Sequence, residues 1–159
     1  MADMLVKLYD LPPPAPVLDD QTRQNILIKR ALTPERHLVI RWIREAFGDA
    51  WAGECEAAFA RQPVSCFTAV RDGRIIGFAC YEVTFRGFFG PMGVDERARG
   101  KGTGKALLLS CLQAMRAEGY MYAIIGGVGP REFYARSAGA VEIEGSTPGG
   151  YRDMLKDNG

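Results

Sequence analysis

One stretch in the middle of the chain restricts the possible folds more than any other. The apolar run Phe88–Val94 leads into a loop that alternates glycine with basic residues, and a helical pattern follows over residues 103–118. Its apolar residues are spaced at i, i+3, i+4 and i+7: Leu108, Cys111, Leu112 and Met115. A strand joined to a helix by such a loop predicts an α/β protein.

The flanking sequence extends this pattern in both directions. Asp72-Gly73 between two apolar runs predicts a hairpin, and Thr33-Pro34 is typical of a helix start. Strands are predicted at residues 25–30, 65–70, 74–83, 88–94, 120–126, 141–144 and 151–155, with helices from Thr33, at 50–60, at 103–118 and at 130–138. The order β-α-α-β-β-β-α-β-α-β-β predicts a mixed sheet covered by helices.

The first 24 residues stand apart from this pattern. Residues 4–9 are compatible with a short strand, but the proline-rich stretch 11–16 predicts extended backbone, since proline disfavours helix before it. We therefore expect residues 1–24 to form an extension and residues 25–159 a single domain. The extension is either an arm draped on the surface or a strand that docks on a partner subunit.

Composition excludes several classes of function. With 20 Lys+Arg against 19 Asp+Glu, the net charge of +1 argues against nucleic-acid binding through bulk charge. The chain has no apolar stretch long enough to cross a membrane and no signal-peptide pattern, so we expect a cytoplasmic protein without a membrane partner.

The cysteines and the histidine do not predict a metal site. The four cysteines are far apart in the sequence, and none belongs to a C-x-x-C pair or a Cys/His cluster. We expect them to be small buried apolar residues and expect no metal. The only histidine, His37, falls within a predicted helix and is interpreted as a packing residue.

The loop at residues 94–105 has the chemistry of an anion site. Consecutive backbone N–H groups and a helix N-terminus favour a phosphate or pyrophosphate, while Arg99, Lys101 and Lys105 add positive charge. A flexible surface turn is the alternative. The loop lacks the Walker A pattern, because Ala106 follows Gly104-Lys105, and it lacks G-x-G-x-x-G, because Lys105 stands at the third glycine.

Arg99-x-x-Gly102-x-Gly104 resembles the R/Q-x-x-G-x-G/A motif of the GNAT superfamily of acetyl-CoA-dependent N-acetyltransferases. Two further segments resemble the same family. Met92-Gly93-Val94 is similar to its fourth strand, and Phe133-Tyr134-Ala135-Arg136 before Gly139-Ala140 is similar to its F-Y-x-x-x-G-F/A segment. The resemblance covers about residues 25–155 and implies a three-layer α/β fold. In that fold helices cover both faces of a mixed, mostly antiparallel sheet that splays between its fourth and fifth strands.

The resemblance also implies how acetyl-CoA binds. Backbone groups of Met92 and Val94 are expected to pair with the pantetheine arm, and an N–H near Gly93 or Val94 to polarise the thioester carbonyl. The N–H groups from Gly100 to Lys105 are expected to hold the pyrophosphate. The implied cofactor-binding residues are Met92, Gly93, Val94, Arg99, Gly100, Lys101, Gly102, Thr103, Gly104 and Lys105. One departure is that residues 126–130 lack the Asn that many members carry there.

Tyr134 matches the family's general acid for the leaving thiolate, although a core aromatic residue would give the same pattern. No acid occurs in Phe88–Val94, so Glu82 is the nearest candidate base; its alternative is an exposed strand carboxylate. Three acids in the first two domain helices are candidates to attract a cationic amine, or are merely solvated: Glu45, Asp49 and Glu54.

The resemblance predicts direct acetyl transfer to a primary amine, on a small molecule or a peptide, in a ternary complex. Two other classes stay open: an acyl-CoA sensor without transferase activity, and a nucleotide-binding switch protein. The identity of the amine is not fixed by the sequence, and homodimerisation through sheet edges or the N-terminal arm is compatible with it.

Overall fold

A mixed sheet of seven strands runs through the computed structural model, which describes residues 1–159. The strands are β1 Met4–Lys7, β2 Leu27–Arg30, β3 Cys66–Arg71, β4 Arg74–Tyr81, β5 Phe88–Val94, β6 Tyr122–Ile125 and β7 Val141–Glu142. Their order across the sheet is β2-β3-β4-β5-β6-β1-β7. All neighbours are antiparallel except β5 and β6, which are parallel.

Five α-helices accompany the sheet: α1 Ala15–Arg23, α2 Arg36–Phe47, α3 Asp49–Ala58, α4 Thr103–Ala117 and α5 Arg131–Ala138. Short 3-10 turns lie at Leu8–Asp10, Thr33–Glu35, Glu96–Ala98 and Gly149–Tyr151. None of these helices is both long and apolar enough to span a bilayer.

Local sequence explains where several elements begin and end. Asp72 (φ 51°) and Gly73 (φ 72°) form the tight turn of the β3–β4 hairpin, and both adopt the positive φ that such turns favour. Helix α4 begins after Gly102, which is left-handed at φ 83°. The bounds of β5 and the start of α4 are those predicted from the sequence.

Two apolar cores lie on opposite faces of the sheet, and β4 contributes to both. Phe78 and Cys80 pack with α2 and α3, whereas Ala79 and Tyr81 belong to the core around α4. Successive side chains of a strand point to opposite faces, which explains this alternation. The predicted three-layer α/β architecture is therefore confirmed.

The N-terminal segment forms the short strand considered for residues 4–9, but it is not the extension that the sequence predicted. β1 is an internal strand of the sheet, between β6 and β7, and Leu8 is fully buried against the core around α4. The chain from Ala15 onward is helical, because Pro14 and Pro16 occupy the cap and first turn of α1, where a missing N–H costs nothing. Residues 1–24 therefore belong to the domain and are not an appendage.

The predicted last strand, residues 151–155, does not form. Tyr151 ends a 3-10 turn, and the chain beyond Asp153 has no regular structure. The sheet position between β6 and β7 is filled by β1, so β7 pairs with the N-terminal strand.

Candidate active site

The central feature of the site is a gap in the sheet. β5 and β6 pair only at Phe88–Ile124 and Phe89–Ile125. Gly90 follows with φ 120°, and Pro91 has no N–H to donate. The two strands therefore separate beyond Phe89, as predicted, and one edge of β5 is left without a partner strand.

The backbone on this free edge comes from Met92 and Val94. Asp95 N donates to Ile76 O of β4 at 2.8 Å. Because the backbone groups of a strand alternate in direction, Gly93 also faces β4, while the N–H and C=O of Met92 and Val94 face the gap. Of the two N–H groups predicted to polarise a carbonyl, only that of Val94 lies on the open side.

A cavity of about 770 Å³ occupies the gap and extends toward α3. Its walls include the diverging ends of β5 and β6 and the glycine-rich residues 126–130. Two N–H groups of that glycine-rich stretch are already bound, since Gly127 N donates to Asp3 Oδ1 at 2.9 Å and Val128 N donates to Ala2 O at 3.1 Å. The N-terminus thus fixes the stretch where many family members carry an Asn.

A second cavity, of about 510 Å³, lies over the loop between β5 and α4. It is lined by nine of the ten predicted cofactor-binding residues: Met92, Gly93, Val94, Arg99, Gly100, Gly102, Thr103, Gly104 and Lys105. The two cavities share Trp51 and Met92 as wall residues, so they adjoin each other beside β5.

The loop presents unpaired donors to the second cavity. None of the backbone N–H groups from Gly100 to Lys105 donates to an acceptor in the protein, and Ala106 N makes the first helical bond, to Gly102 O at 3.0 Å. Together with the α4 N-terminus and the cations of Arg99 and Lys105, these N–H groups form a cradle suited to a pyrophosphate.

Lys101 is the predicted cofactor-binding residue that does not line the cavity. Its carbonyl is turned away and accepts hydrogen bonds from Gln21 Nε2 at 2.8 Å and Gln24 Nε2 at 3.0 Å. The Gln21 side chain is fully buried, and its Oε1 accepts from Thr103 Oγ1 at 2.7 Å. Gln21 therefore ties α1 to both sides of the loop, a contact that nothing in the sequence signals.

Tyr134 lies on α5 and lines the first cavity beside β5. Its ring packs edge-to-face against Phe133, with centroids 5.0 Å apart, and against Phe89 at 6.3 Å. Burial raises the pKa of Tyr134 to about 12. The hydroxyl is therefore protonated at neutral pH and can act as a donor in the cavity.

Glu82 differs from the prediction. It follows the end of β4 with φ 59°, so it is not part of a strand, although the predicted strand 74–83 contained it. Its carboxylate accepts hydrogen bonds from Gly87 N and from Tyr120 Oη, and it does not line either cavity. This placement gives Glu82 a structural role in the turn between β4 and β5 and does not support it as the base.

Glu54 is the acid that reaches the first cavity. Its Oε2 accepts hydrogen bonds from Thr84 Oγ1 and from Tyr151 Oη, the latter at 2.8 Å, and all three residues line the cavity. Of the other two helical acids considered, Asp49 pairs with Arg44 at 3.1 Å, and neither Asp49 nor Glu45 lines the cavity. Thr84 and Tyr151 were missed, because only the folded chain brings these segments together.

Three cysteines meet in the core between the sheet and α3. The sulfurs of Cys55, Cys66 and Cys80 lie within 4.8 Å of one another and are fully buried. Burial raises the pKa of the Cys80 thiol, which keeps it protonated at neutral pH. Their separation in the sequence hid this cluster. It lies outside both cavities, and its surroundings are apolar.

The comparisons with known proteins agree with this geometry. The model of the acetyltransferase (GNAT) family matches residues 27–140. A search of curated proteins finds no match.

Three solved structures have a similar fold. A fungal protein described as a multi-domain GH3 β-N-acetylglucosaminidase with a GCN5-related glucosamine N-acetyltransferase region superposes with TM-score 0.73 and 15% identity, over 89% of this chain and 19% of that one. A GCN5-related N-acetyltransferase from Sphaerobacter thermophilus superposes with a TM-score of 0.63 and 21% identity, over 89% of this chain and 48% of that one. YhbS from Escherichia coli, solved with CoA, superposes with a TM-score of 0.55 and 23% identity, over 71% of this chain and 67% of that one.

This chain therefore spans about a fifth of the fungal protein's chain and about half of the Sphaerobacter thermophilus protein's chain. The family match covers most of the sequence, and it includes the splayed strands and the whole glycine-rich loop. The chain belongs to the GNAT family of acetyltransferases.

Proposed function

We propose that the protein transfers the acetyl group of acetyl-CoA to a primary amine. The observation that carries this proposal is the cradle of unpaired N–H groups from Gly100 to Lys105, which lines a cavity that adjoins the one in the gap beside β5. Acetyl-CoA would supply an activated thioester. The loop would hold its pyrophosphate, and the backbone groups of Met92 and the carbonyl of Val94 would pair with the pantetheine arm.

Two groups of the protein serve the transfer. Val94 N–H faces the gap and would stabilise negative charge on the thioester oxygen. Tyr134 Oη would donate a hydrogen bond, and then its proton, to the departing sulfur. The new N–C bond replaces the C–S bond; the ammonium nitrogen loses two protons in all, one of which restores Tyr134 while the other passes to solvent.

The identity of the amine that accepts the acetyl group is a separate and more specific proposal. The fungal protein with a similar fold contains, by its description, a glucosamine N-acetyltransferase region. That makes glucosamine the first amine to test.

The test is isothermal titration with acetyl-CoA, followed by thiol release against a panel of amines. We expect binding, and amine-dependent release of CoA thiol. Absence of acetyl-CoA binding would contradict the proposal, and binding without transfer to any amine would favour an acyl-CoA sensor.

A further inference from the structure

Three of the four cysteines come together from three separate segments of the chain. Cys66 and Cys80 lie directly opposite each other on the neighbouring antiparallel strands β3 and β4, so their side chains share one face of the sheet. Cys55 belongs to α3, which packs on that face. The three sulfurs lie within 4.8 Å of one another, and the Cys55 thiol donates a hydrogen bond to Cys66 Sγ at 3.8 Å. They form a triangle, and a single atom between them is within reach of all three.

The surroundings of this triangle are apolar and offer no ionisable ligand. All three cysteines are fully buried in the core that α2 and α3 form with the sheet, and aliphatic and aromatic side chains make up the rest of that core. No histidine, aspartate, glutamate or fourth cysteine belongs to the cluster. Thiols in such surroundings stay uncharged, and a bound ion that left a net charge among them would be costly to bury.

This restriction on charge selects the ligand. Zn²⁺ on three thiolates leaves one negative charge and takes a fourth ligand, and Cu⁺ on three thiolates leaves two negative charges. A trivalent centre on three thiolates is neutral and needs no fourth ligand. Trivalent arsenic has this valence and a strong preference for sulfur.

The reaction that forms such a complex introduces no charge into the core. Arsenious acid, As(OH)₃, is the uncharged form of arsenite that predominates at neutral pH. It reacts with three thiols to give As(SR)₃ and three molecules of water. Three S–H and three As–O bonds break, three As–S bonds form, and the thiol protons leave in the water. No atom is oxidised or reduced.

The buried sulfurs are reached through a local opening of the core, as occurs in native proteins at a cost below that of global unfolding. The ten-residue helix α3 is the element that covers the strand cysteines and supplies the third sulfur. The cluster lies outside both cavities, so a ligand there does not compete directly with acetyl-CoA.

We propose that Cys55, Cys66 and Cys80 form a binding site for trivalent arsenic, which replaces the three thiol hydrogens and is held by three As–S bonds. The site is separate from the proposed acetyl transfer and does not rest on it. Its ligand is defined by three converging sulfurs in a core that accepts only a neutral complex.

The first experiment incubates the reduced full chain with sodium arsenite. Native mass spectrometry counts the arsenic bound per chain, and X-ray absorption at the arsenic K edge identifies its neighbours. We expect one arsenic per chain, with three sulfur neighbours and no oxygen. No uptake, or arsenic with two sulfurs and one oxygen, would overturn the inference. Zn²⁺ that prevents uptake at the same concentration would also overturn it, because a charged complex would then be preferred.

The second experiment replaces one cysteine at a time and measures the dissociation constant for arsenite. Cys55→Ala, Cys66→Ala and Cys80→Ala each leave two thiols, so we expect this constant to rise at least 100-fold. Cys111→Ala is the matched control, since Cys111 is equally buried but lies in the other core, around α4. It should bind arsenite like the wild type.

Wild-type affinity in any of the three cluster variants, or loss of binding in Cys111→Ala, would assign the arsenic to other thiols and refute the site. If the cluster variants do not fold, the X-ray absorption spectrum of the wild type still decides the inference.

Discussion

The middle of the chain and its two ends build the site in different ways. Residues 88–105 form one continuous strand, loop and helix start, and they provide nearly all of the predicted cofactor contacts. The ends act through contacts between distant segments: β1 fills the sheet, Gln21 holds the loop, and Tyr151 holds Glu54. The loop residues are consecutive in the sequence, whereas the contacts that support the loop and the cavity wall around Glu54 form only in the folded chain.

The largest effect tests whether the N-terminal segment belongs to the domain. Leu8→Ala would open a cavity in the core around α4, and we expect it to lower the free energy of unfolding by about 2–5 kcal/mol. Urea denaturation measures this. Leu155→Ala is the control, because Leu155 is 99% exposed and should change stability by less than about 0.5 kcal/mol. Equal stability of the two variants would restore the view of the segment as a loose arm.

The second test concerns the middle of the chain, at the loop between β5 and α4. Gly102→Glu forces a side chain onto a residue at φ 83°, and its Cβ would lie 3.3 Å from Gln21 Nε2, which supports the loop. The loop should therefore be distorted, and we expect the dissociation constant for acetyl-CoA to rise at least 100-fold in isothermal titration, about 2.7 kcal/mol. Gly73→Glu imposes similar backbone strain at φ 72° in the β3–β4 turn, far from the loop. It should bind acetyl-CoA like the wild type. Tight binding by Gly102→Glu would refute the assignment of the cradle.

The elements that the sequence could predict are those of the middle of the chain, and the contacts of the two ends could not be predicted. The bounds of β5 and the start of α4 could be predicted, because periodicity, glycine and proline act locally. The splay between β5 and β6 was expected from the family resemblance. The position of β1 could not, since a four-residue strand has no signal for which neighbour it joins.

The same limit applies to the candidate site. Glu82 is the acid that most closely precedes β5 in the sequence, but its positive φ places it in a turn after β4. Glu54 was one of three helical acids with the same local pattern, and only the folded chain puts it beside Tyr151. The loop residues needed no such information, because their chemistry lies in consecutive positions.

The third test concerns the proton donor. Tyr134→Phe removes the hydroxyl and keeps the packing against Phe89, so we expect kcat to fall ten- to 100-fold while acetyl-CoA affinity stays within twofold. Tyr122→Phe is the control, since Tyr122 is an exposed residue whose hydroxyl faces only Tyr9. Steady-state kinetics gives kcat, and an unaltered value excludes Tyr134 from the mechanism.

The pH dependence sharpens this test. The pKa of Tyr134 is raised to about 12, so its acid form persists well above the ordinary tyrosine range. Any fall in wild-type kcat between pH 8 and 10 therefore has another origin. Tyr134→Phe should scale the profile down without moving its midpoints in that range.

The smallest effect is expected at the contact between the N-terminal segment and the loop between β5 and α4. Gln21→Ala removes the hydrogen bonds to Lys101 O and Thr103 Oγ1, so the loop should sample conformations in which its N–H groups diverge. We expect acetyl-CoA affinity to fall about tenfold, or 1.4 kcal/mol, while kcat at saturating acetyl-CoA is retained. Gln24→Ala should have a smaller effect, because water can replace its exposed bond to Lys101.

The two glutamine variants also show whether α1 organises the loop for acetyl-CoA binding or only stabilises the fold. If Gln21→Ala lowers the unfolding temperature but leaves affinity unchanged, α1 stabilises the fold without organising the loop. If affinity falls in proportion to the bonds removed, the cradle is strong only because the N-terminal segment holds it. The loop motif would then describe what binds the pyrophosphate, and the buried Gln21, which the motif does not include, would determine how tightly.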